Sequence, residues 1–416
     1  MSGLTRRRFL HSAGAVALAG GAATALPACA TLASSDDGDG GATAARQRYL
    51  PFHGAHQTGI TATHQANGLL AAFTVHAADR AELREMFRAL TEEIRHLMAG
   101  EPYEELDPDY PPTYNGVLGN PPPPADLSVV VSVGASLFDE RFGLADRRPR
   151  DLERMPFLAN DRLDPERSHG DLLLNIASAN QEFDLFALRQ LMRVTRGELG
   201  LHWMLEGFNR RTEAAPGEAG VRNLMGFVDG TANLDPTDSA LMDRLVFVGA
   251  DDDEPDWAVG GSYHVVRVIR MLVEFWDRTR LAEQEALIGR RRDTGAPLDG
   301  ERETDVPDYA ADPDGEITPL DAHIRLANPR TSDTEDQRIL RKGFSYSRGF
   351  DRAGQLDQGL AFVSYQRSLT DQFLKVQERL AGEPLEEYLR PEGGGFYFAL
   401  PGVADEGGFL GDGLVS

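Results

Sequence analysis

From Gly68 to Val75 the chain is apolar and β-rich, and over Arg80 to Met98 apolar side chains recur at helical spacing, every three or four positions. The same scheme continues downstream. Leu127 to Val133 and Asp171 to Ala177 read as buried strands, Glu182 to Thr195 as an amphipathic helix and Leu201 to Phe208 as a closing strand. The proline-rich stretch from Pro102 to Pro124 predicts a long irregular loop. A second set follows. Tyr263 to Ile269 alternates as a strand, Val273 to Ile288 has helical spacing, Leu360 to Tyr365 is strand-like, Asp371 to Leu380 helical and Gly395 to Leu400 a last strand. Arg290 to Pro319 is charged and rich in Asp, Gly and Pro, so it predicts loop. Two successive β-α-β-rich halves predict an α+β fold of two ferredoxin-like modules with antiparallel sheets, an N-terminal one over 51–215 and a C-terminal one over 216–416.

The first thirty residues stand apart. Thr5-Arg6-Arg7-Arg8-Phe9-Leu10 matches the twin-arginine export pattern, and Ala13 to Ala28 is rich in small residues and too short for a good membrane anchor. Residues 1–30 therefore read as a signal peptide and 31–50 as a flexible linker. Cys29, the chain's one cysteine, lies in the processing region. Leu26-Pro27-Ala28-Cys29 resembles a lipoprotein cleavage box, and ordinary cleavage after Ala30 is the competing reading. Both leave a folded body without a thiol, which excludes disulfides and thiolate chemistry. The expected location is outside the cytoplasm: periplasmic, extracellular or lipid-anchored at the outer face of the cell membrane.

Charge narrows the partners. With 42 Lys+Arg against 66 Asp+Glu the net charge is −24, a surface that repels phosphate backbones and excludes nucleic acid.

The segment Gly226-Phe227-Val228-Asp229-Gly230-Thr231-Ala232-Asn233 carries one carboxylate between small residues at the end of an apolar run. Such an Asp can serve as acid or base beside a buried ligand. Asp-Gly is equally a common hairpin turn, and alone the segment leaves both readings open. About ninety residues on, Asp321-Ala322-His323-Ile324-Arg325-Leu326-Ala327-Asn328-Pro329-Arg330 is followed by Ile339-Leu340-Arg341-Lys342-Gly343-Phe344-Ser345-Tyr346-Ser347-Arg348-Gly349, so Arg341 lies eighteen positions after His323. In this order and spacing the three blocks resemble the dye-decolourising haem peroxidases, and within them the exported deferrochelatase/peroxidase branch. The resemblance spans about Gly54 to Pro401.

That resemblance implies a pair of antiparallel sheets packed with helices, like a dimeric α+β barrel, and a non-covalently held haem b. His323 would be the proximal iron ligand, since a firmly held imidazole pushes electron density towards bound peroxide. Asp229 would be the base that takes a proton from one peroxide oxygen and returns it to the other. Arg341, always charged, would stabilise the developing anion and lie against the haem. Gly230, Thr231 and Ala232 would line one face of the haem; Asn328, Pro329 and Arg330 would follow the ligand, with Arg330 pairing a propionate. An Asp titrates near pH 4 unless perturbed, so it stays competent in acid where a histidine base would be protonated. Some branches carry Asn two residues after the distal Arg, where this chain has Gly343. The acid behind His323 cannot be identified from sequence.

Three functions follow as expectations. The first is an exported haem peroxidase that reduces hydrogen peroxide and oxidises organic donors by one-electron steps. The second is a deferrochelatase that releases iron from haem with the porphyrin intact, alongside iron-permease components. The third is a lipid-anchored cation-binding protein without haem. The resemblance also implies a homo-oligomer.

Overall fold

A computed structural model describes residues 48–104, 107–210 and 221–416. The signal peptide, Cys29 and residues 31–47 of the linker lie outside the described residues. Residues 47–416 form one compact unit.

Among the described residues there are nine strands: β1 (Asn67–Val75), β2 (Ser128–Gly134), β3 (Leu172–Ser178), β4 (Leu199–Phe208), β5 (Ser262–Met271), β6 (Leu340–Arg341), β7 (Phe344–Phe350), β8 (Leu356–Gln366) and β9 (Leu389–Ala399). All pairings are antiparallel, and the order is β5-β9-β2-β3-β1-β4-β7-β8-β6. β8 also pairs with β5, from Tyr263 opposite Gln366 to Arg270 opposite Gly359, so the sheet closes into a barrel. In the first half, β1, β2, β3 and β4 stand in the order β2-β3-β1-β4; in the second, β5, β7, β8 and β9 stand as β9-β5-β8-β7. Each is the ferredoxin-like arrangement. The joints between them are β2 with β9 and β4 with β7.

Alternation along the strands explains the two cores. Leu70 and Ala72 of β1, Val130 of β2, Leu173 of β3, Trp203 and Leu205 of β4, Val266 of β5, Phe344 and Tyr346 of β7, Val363 and Tyr365 of β8 and Tyr397 of β9 pack in one cluster. Because all eight barrel strands contribute, this cluster is the barrel interior, and it is filled with side chains. The opposite faces, such as Leu69, Ala71 and Phe73 of β1, meet the helices. The helix Arg80–Ala99 starts on Asp79, whose carboxylate accepts from the amides of Ala81 and Glu82, and buries Leu83, Phe87, Leu90 and Ile94 against that layer.

Most expected elements appear within a few residues of their predicted bounds. The last strand starts earlier than predicted, at Leu389, the 371–380 helix opens with a π-helical turn at Leu369–Leu374, and Val273 to Ile288 is two helices, Val273–Trp276 and Leu281–Ile288. Gln284 explains the break: its side-chain amide donates to the carbonyls of Trp276 (2.9 Å) and Thr279 (3.2 Å), ending the first turn. The short helix His323–Ala327 and the β6–β7 pair were not predicted as elements. No described helix is long and apolar enough to cross a membrane.

Candidate active site

The Asp229 segment is a hairpin arm as well as a candidate site. Arg222 and Val228 form an antiparallel bridge around a turn in which Asn223 Oδ1 accepts from the amides of Met225 (3.1 Å) and Phe227 (3.3 Å). The same side chain then donates from Nδ2 to Asp229 Oδ2 at 3.3 Å. Beyond Asp229 the backbone turns sharply: Gly230 has φ 105° and Ala232 φ 59°. The first conformation needs glycine, and the second is strained for any other residue.

This sharp turn brings the segment against β6. Arg341 Nη1 donates to Asp229 Oδ1 at 3.2 Å, and Nη2 to the carbonyl of Thr231 at 3.0 Å. Asn233 grips the Arg341 backbone twice, accepting from its amide at 2.9 Å and donating to its carbonyl at 2.8 Å. Thr231 Oγ1 donates to Glu303 at 2.8 Å. Asp229 and Arg341 keep 27% and 34% of their side-chain surface accessible, so the pair faces open space.

His323 approaches from another direction. The loop before it is wound around Asp312, whose carboxylate accepts from the amides of Glu316, Ile317 and Thr318 and pairs with Arg325. His323 begins the helix His323–Ala327, whose last carbonyls, Leu326 and Ala327, accept from Arg379. Its Nδ1 lies 2.9 Å from Oε2 of Glu383, a buried carboxylate. Burial pushes the imidazole pKa down, but the Glu383 charge and hydrogen bond outweigh it and leave the pKa raised. Its side chain keeps 35% of its surface accessible, and it feels the charges of Arg341, which lowers its pKa, and of Asp229, which raises it.

Asn328 Oδ1 accepts from the amide of Arg330 at 3.2 Å and helps hold Arg330 at φ 58°, with Pro329 between them. The Tyr309 hydroxyl is buried beside Arg330, whose charge and hydrogen bond offset part of the burial that raises the Tyr309 pKa. Nearby, Arg290 donates to the carbonyls of Gly295 and Glu303; burial first, and then the charges of Arg330 and Arg341, lower its pKa. The charges of three guanidiniums thus act on one another here. Phe227, Met225, Trp276 and Ile288 pack together in a small apolar cluster.

Sequence reasoning missed Glu383, Asn223, Asn233 in its clamping role, Arg290 and Tyr309. Asn233 stood inside a block already singled out, but nothing in the pattern linked it to Arg341. Glu383 is sixty positions from His323 and carries no local signal.

These residues suit a haem. Glu383 occupies Nδ1 of His323 and leaves Nε2 as the free donor for iron. The neighbouring guanidiniums of Arg290 and Arg330 suit anions of the kind two propionates supply.

A double ferredoxin-like barrel that carries an acid-backed imidazole and an Asp–Arg pair fits the class of haem-dependent peroxidases. Comparison with known proteins makes this particular. Residues 57–209 match the family described as Dyp-type peroxidase, N-terminal, and residues 220–404 its C-terminal counterpart, so the chain belongs to the Dyp-type peroxidases. It is 46% identical to the deferrochelatase of Escherichia coli (strain K12) and 46% identical to that of Shigella sonnei (strain Ss046), each over 99% of this chain and 97% of the relative. Among solved structures, ferric DtpA from Streptomyces lividans is 37% identical with a TM-score of 0.78, covering 89% of this chain and 97% of its own. A DyP-type peroxidase from Cellulomonas bogoriensis is 33% identical, also at 0.78, covering 89% and 99%.

Proposed function

We propose that this chain is an exported peroxidase carrying non-covalent haem b on His323, reducing hydrogen peroxide and oxidising organic donors in one-electron steps. The observations that carry this reading are the His323–Glu383 pair, the Asp229–Arg341 pair, and the reach of the second pair's charges to the His323 imidazole. A haem bound there supplies the iron at which peroxide is reduced and the store of oxidising equivalents. The chain's residues do the rest. Glu383 accepts the Nδ1–H of His323 and so fixes the tautomer that leaves Nε2 free. Asp229 takes a proton from the nearer peroxide oxygen and delivers one to the farther oxygen. Arg341 cannot give up its charge at working pH; its Nη groups stabilise the negative charge that develops between. Arg290 and Arg330 hold the propionates. The signal at 1–30 supports export, and the missing thiol in the folded body supports non-covalent attachment.

The full-length relatives named deferrochelatase favour a second activity at the same site, release of iron from haem with the porphyrin left whole. Haem would then be substrate as well as cofactor. Association with iron-permease components and self-association are part of this proposal.

An Asp229→Asn/Arg341→Leu double variant tests the first reading. It should retain its Soret band and lose peroxide turnover by about 10³-fold or more, the scale of general-base and charge-stabilisation effects. Unchanged turnover in a haem-loaded double variant refutes the assignment. Free protoporphyrin after incubation with haem tests the second.

A further inference from the structure

One end of the barrel opens into a cavity of about 890 Å³ that is lined by none of His323, Asp229 and Arg341. Strand alternation carries charged side chains to it. Along β5, Val266 and Val268 belong to the barrel interior, and Arg270 follows on the same face. Along β8, Val363 and Ala361 lead through Gly359 to Asp357; along β7, Phe344 and Tyr346 lead to Arg348. In β9 the register slips. Gly393 lies opposite Val268 but Pro391 lies opposite Ile269, so Glu392 is an extra residue. Such a bulge re-aims a side chain, often at the rim of a barrel. The interior thus changes from apolar packing to a charged layer at this mouth, where Arg162, Asp164 and Arg167 also line the cavity.

Donors and acceptors do not balance in that layer. Around the Glu392 carboxylate stand the guanidiniums of Arg167 (3.6 Å), Arg348 (3.8 Å), Arg270 (3.9 Å) and Arg390 (3.9 Å), all beyond hydrogen-bond reach. Four cations converge on one anion without a direct bond to it. Most other acids of the lining are already engaged. Asp351 accepts from Arg270 at 2.8 Å and from the amides of Ala353 and Gln355, and Asp357 accepts from Arg348 at 3.0 Å. Asp164 accepts from the amide of Glu166 and Glu386 from that of Gly382, while Glu387 is exposed at the rim.

The donors, in contrast, are left over. Arg270 is only 5% exposed, and its Nε and that of Arg348 are buried without a hydrogen-bond partner. Arg348 lies 4.9 Å over the Tyr346 ring, whose buried hydroxyl is also unpartnered. Among the described residues the side chains of Arg352 and Arg390, both in the lining, make no hydrogen bond. Guanidiniums with spare N–H groups bind oxyanions, two parallel hydrogen bonds at a time. In a chain of net charge −24 such a collection is not part of a generally basic surface. The volume is that of a small-molecule site, and the mouth of a barrel is a common place for one.

We propose that this barrel mouth is a second binding site, for a small organic polyanion carrying two or more carboxylate or phosphate groups, held by Arg167, Arg270, Arg348 and Arg390 around Glu392. It is separate from the haem site in residues and in chemistry.

Isothermal titration calorimetry of the haem-loaded full chain at pH 7 tests this, with citrate as the carboxylate probe and pyrophosphate as the phosphate probe. In about 0.15 M NaCl diffuse surface attraction is largely screened. At least one probe should bind once per chain with a Kd of about 100 μM or tighter, and the tighter probe identifies the acid group the site prefers. An Arg348→Gln/Arg390→Gln double variant should weaken that binding by about tenfold or more, and Tyr346→Phe, which removes one hydroxyl, by about fivefold. Millimolar or absent binding of both probes overturns the proposal. So does binding that the double variant leaves intact, because the anion then sits elsewhere. Should the double variant not fold, Arg390→Gln alone decides, since that side chain is 42% exposed: about a tenfold loss supports the site, and an unchanged Kd sinks it. Turnover plays no part in the readout, so the peroxidase reading stands or falls separately.

Discussion

Glu383 shows how much one buried carboxylate can govern. In the haem-free protein it holds the His323 pKa above the ordinary imidazole range, against the downward push of burial. A group with a raised folded pKa stabilises the fold fully below its unfolded value, near 6.5, and loses that contribution as pH rises through the folded value. Glu383→Gln should therefore lower the Tm of haem-free protein more at pH 5 than at pH 9. Thermal denaturation at the two pH values checks this, and equal losses would leave Glu383 with a packing role only. His323, Asp229 and Arg341 were legible because each lies in a block of distinctive neighbours. Glu383 was not: its helical turn, Pro384–Tyr388, follows from local chemistry, but its pairing with His323 depends on how the 290–330 excursion folds back on the segment before β9 within the second module. Asn223 was illegible for a different reason, since an Asx-turn explains it fully before its bond to Asp229 is known.

At the level of elements, the site depends on short irregular pieces more than on strands. The sharp turn Asp229–Asn233 exists because Gly230 adopts φ 105°, a conformation that costs about 1–3 kcal/mol for a side-chain-bearing residue. Gly230→Ala should lower stability by that amount and reduce haem retention, because Thr231 and Asn233 would lose their aim at Arg341. Chemical denaturation and the Soret-to-protein absorbance ratio measure the two effects; a variant with full haem content would show that the turn tolerates the change. Long strands and helices were read from periodicity to within a few residues. The failures came where a single side chain overrides the pattern. Gln284 breaks Val273 to Ile288 in two, and Lys342–Gly343 interrupt an otherwise continuous edge into β6 and β7. The helix His323–Ala327 is too short to carry a period, and its position is set by the Asp312 loop and Arg379.

Across the whole molecule, two ferredoxin-like modules were evident from the order of elements and a barrel was implied by the family resemblance, but the strands that join the modules were not. The joints β2–β9 and β4–β7 pair segments far apart in the chain, and no alternation pattern names its partner strand. Closure has an energetic consequence. A Cβ at Gly359 would run into the carbonyl oxygen of Ile269 across the β5–β8 pairing. Gly359→Ala should cost about 2–4 kcal/mol, in the range of overpacking and backbone displacement. Calorimetry should still show one unfolding transition, because neither module has a complete sheet without the other; two transitions would mean that the halves are independent. The barrel interior is filled by side chains from all eight strands, so the candidate site residues lie outside it, on the 221–233 hairpin, the long 290–330 excursion and β6. Foundation and workshop are therefore separate rooms. Lengthening or recolouring the excursion around Glu303 and Tyr309 redraws the doorway without loosening a single rung of the closed ladder, which leaves this architecture free to change its clientele while its masonry stays put.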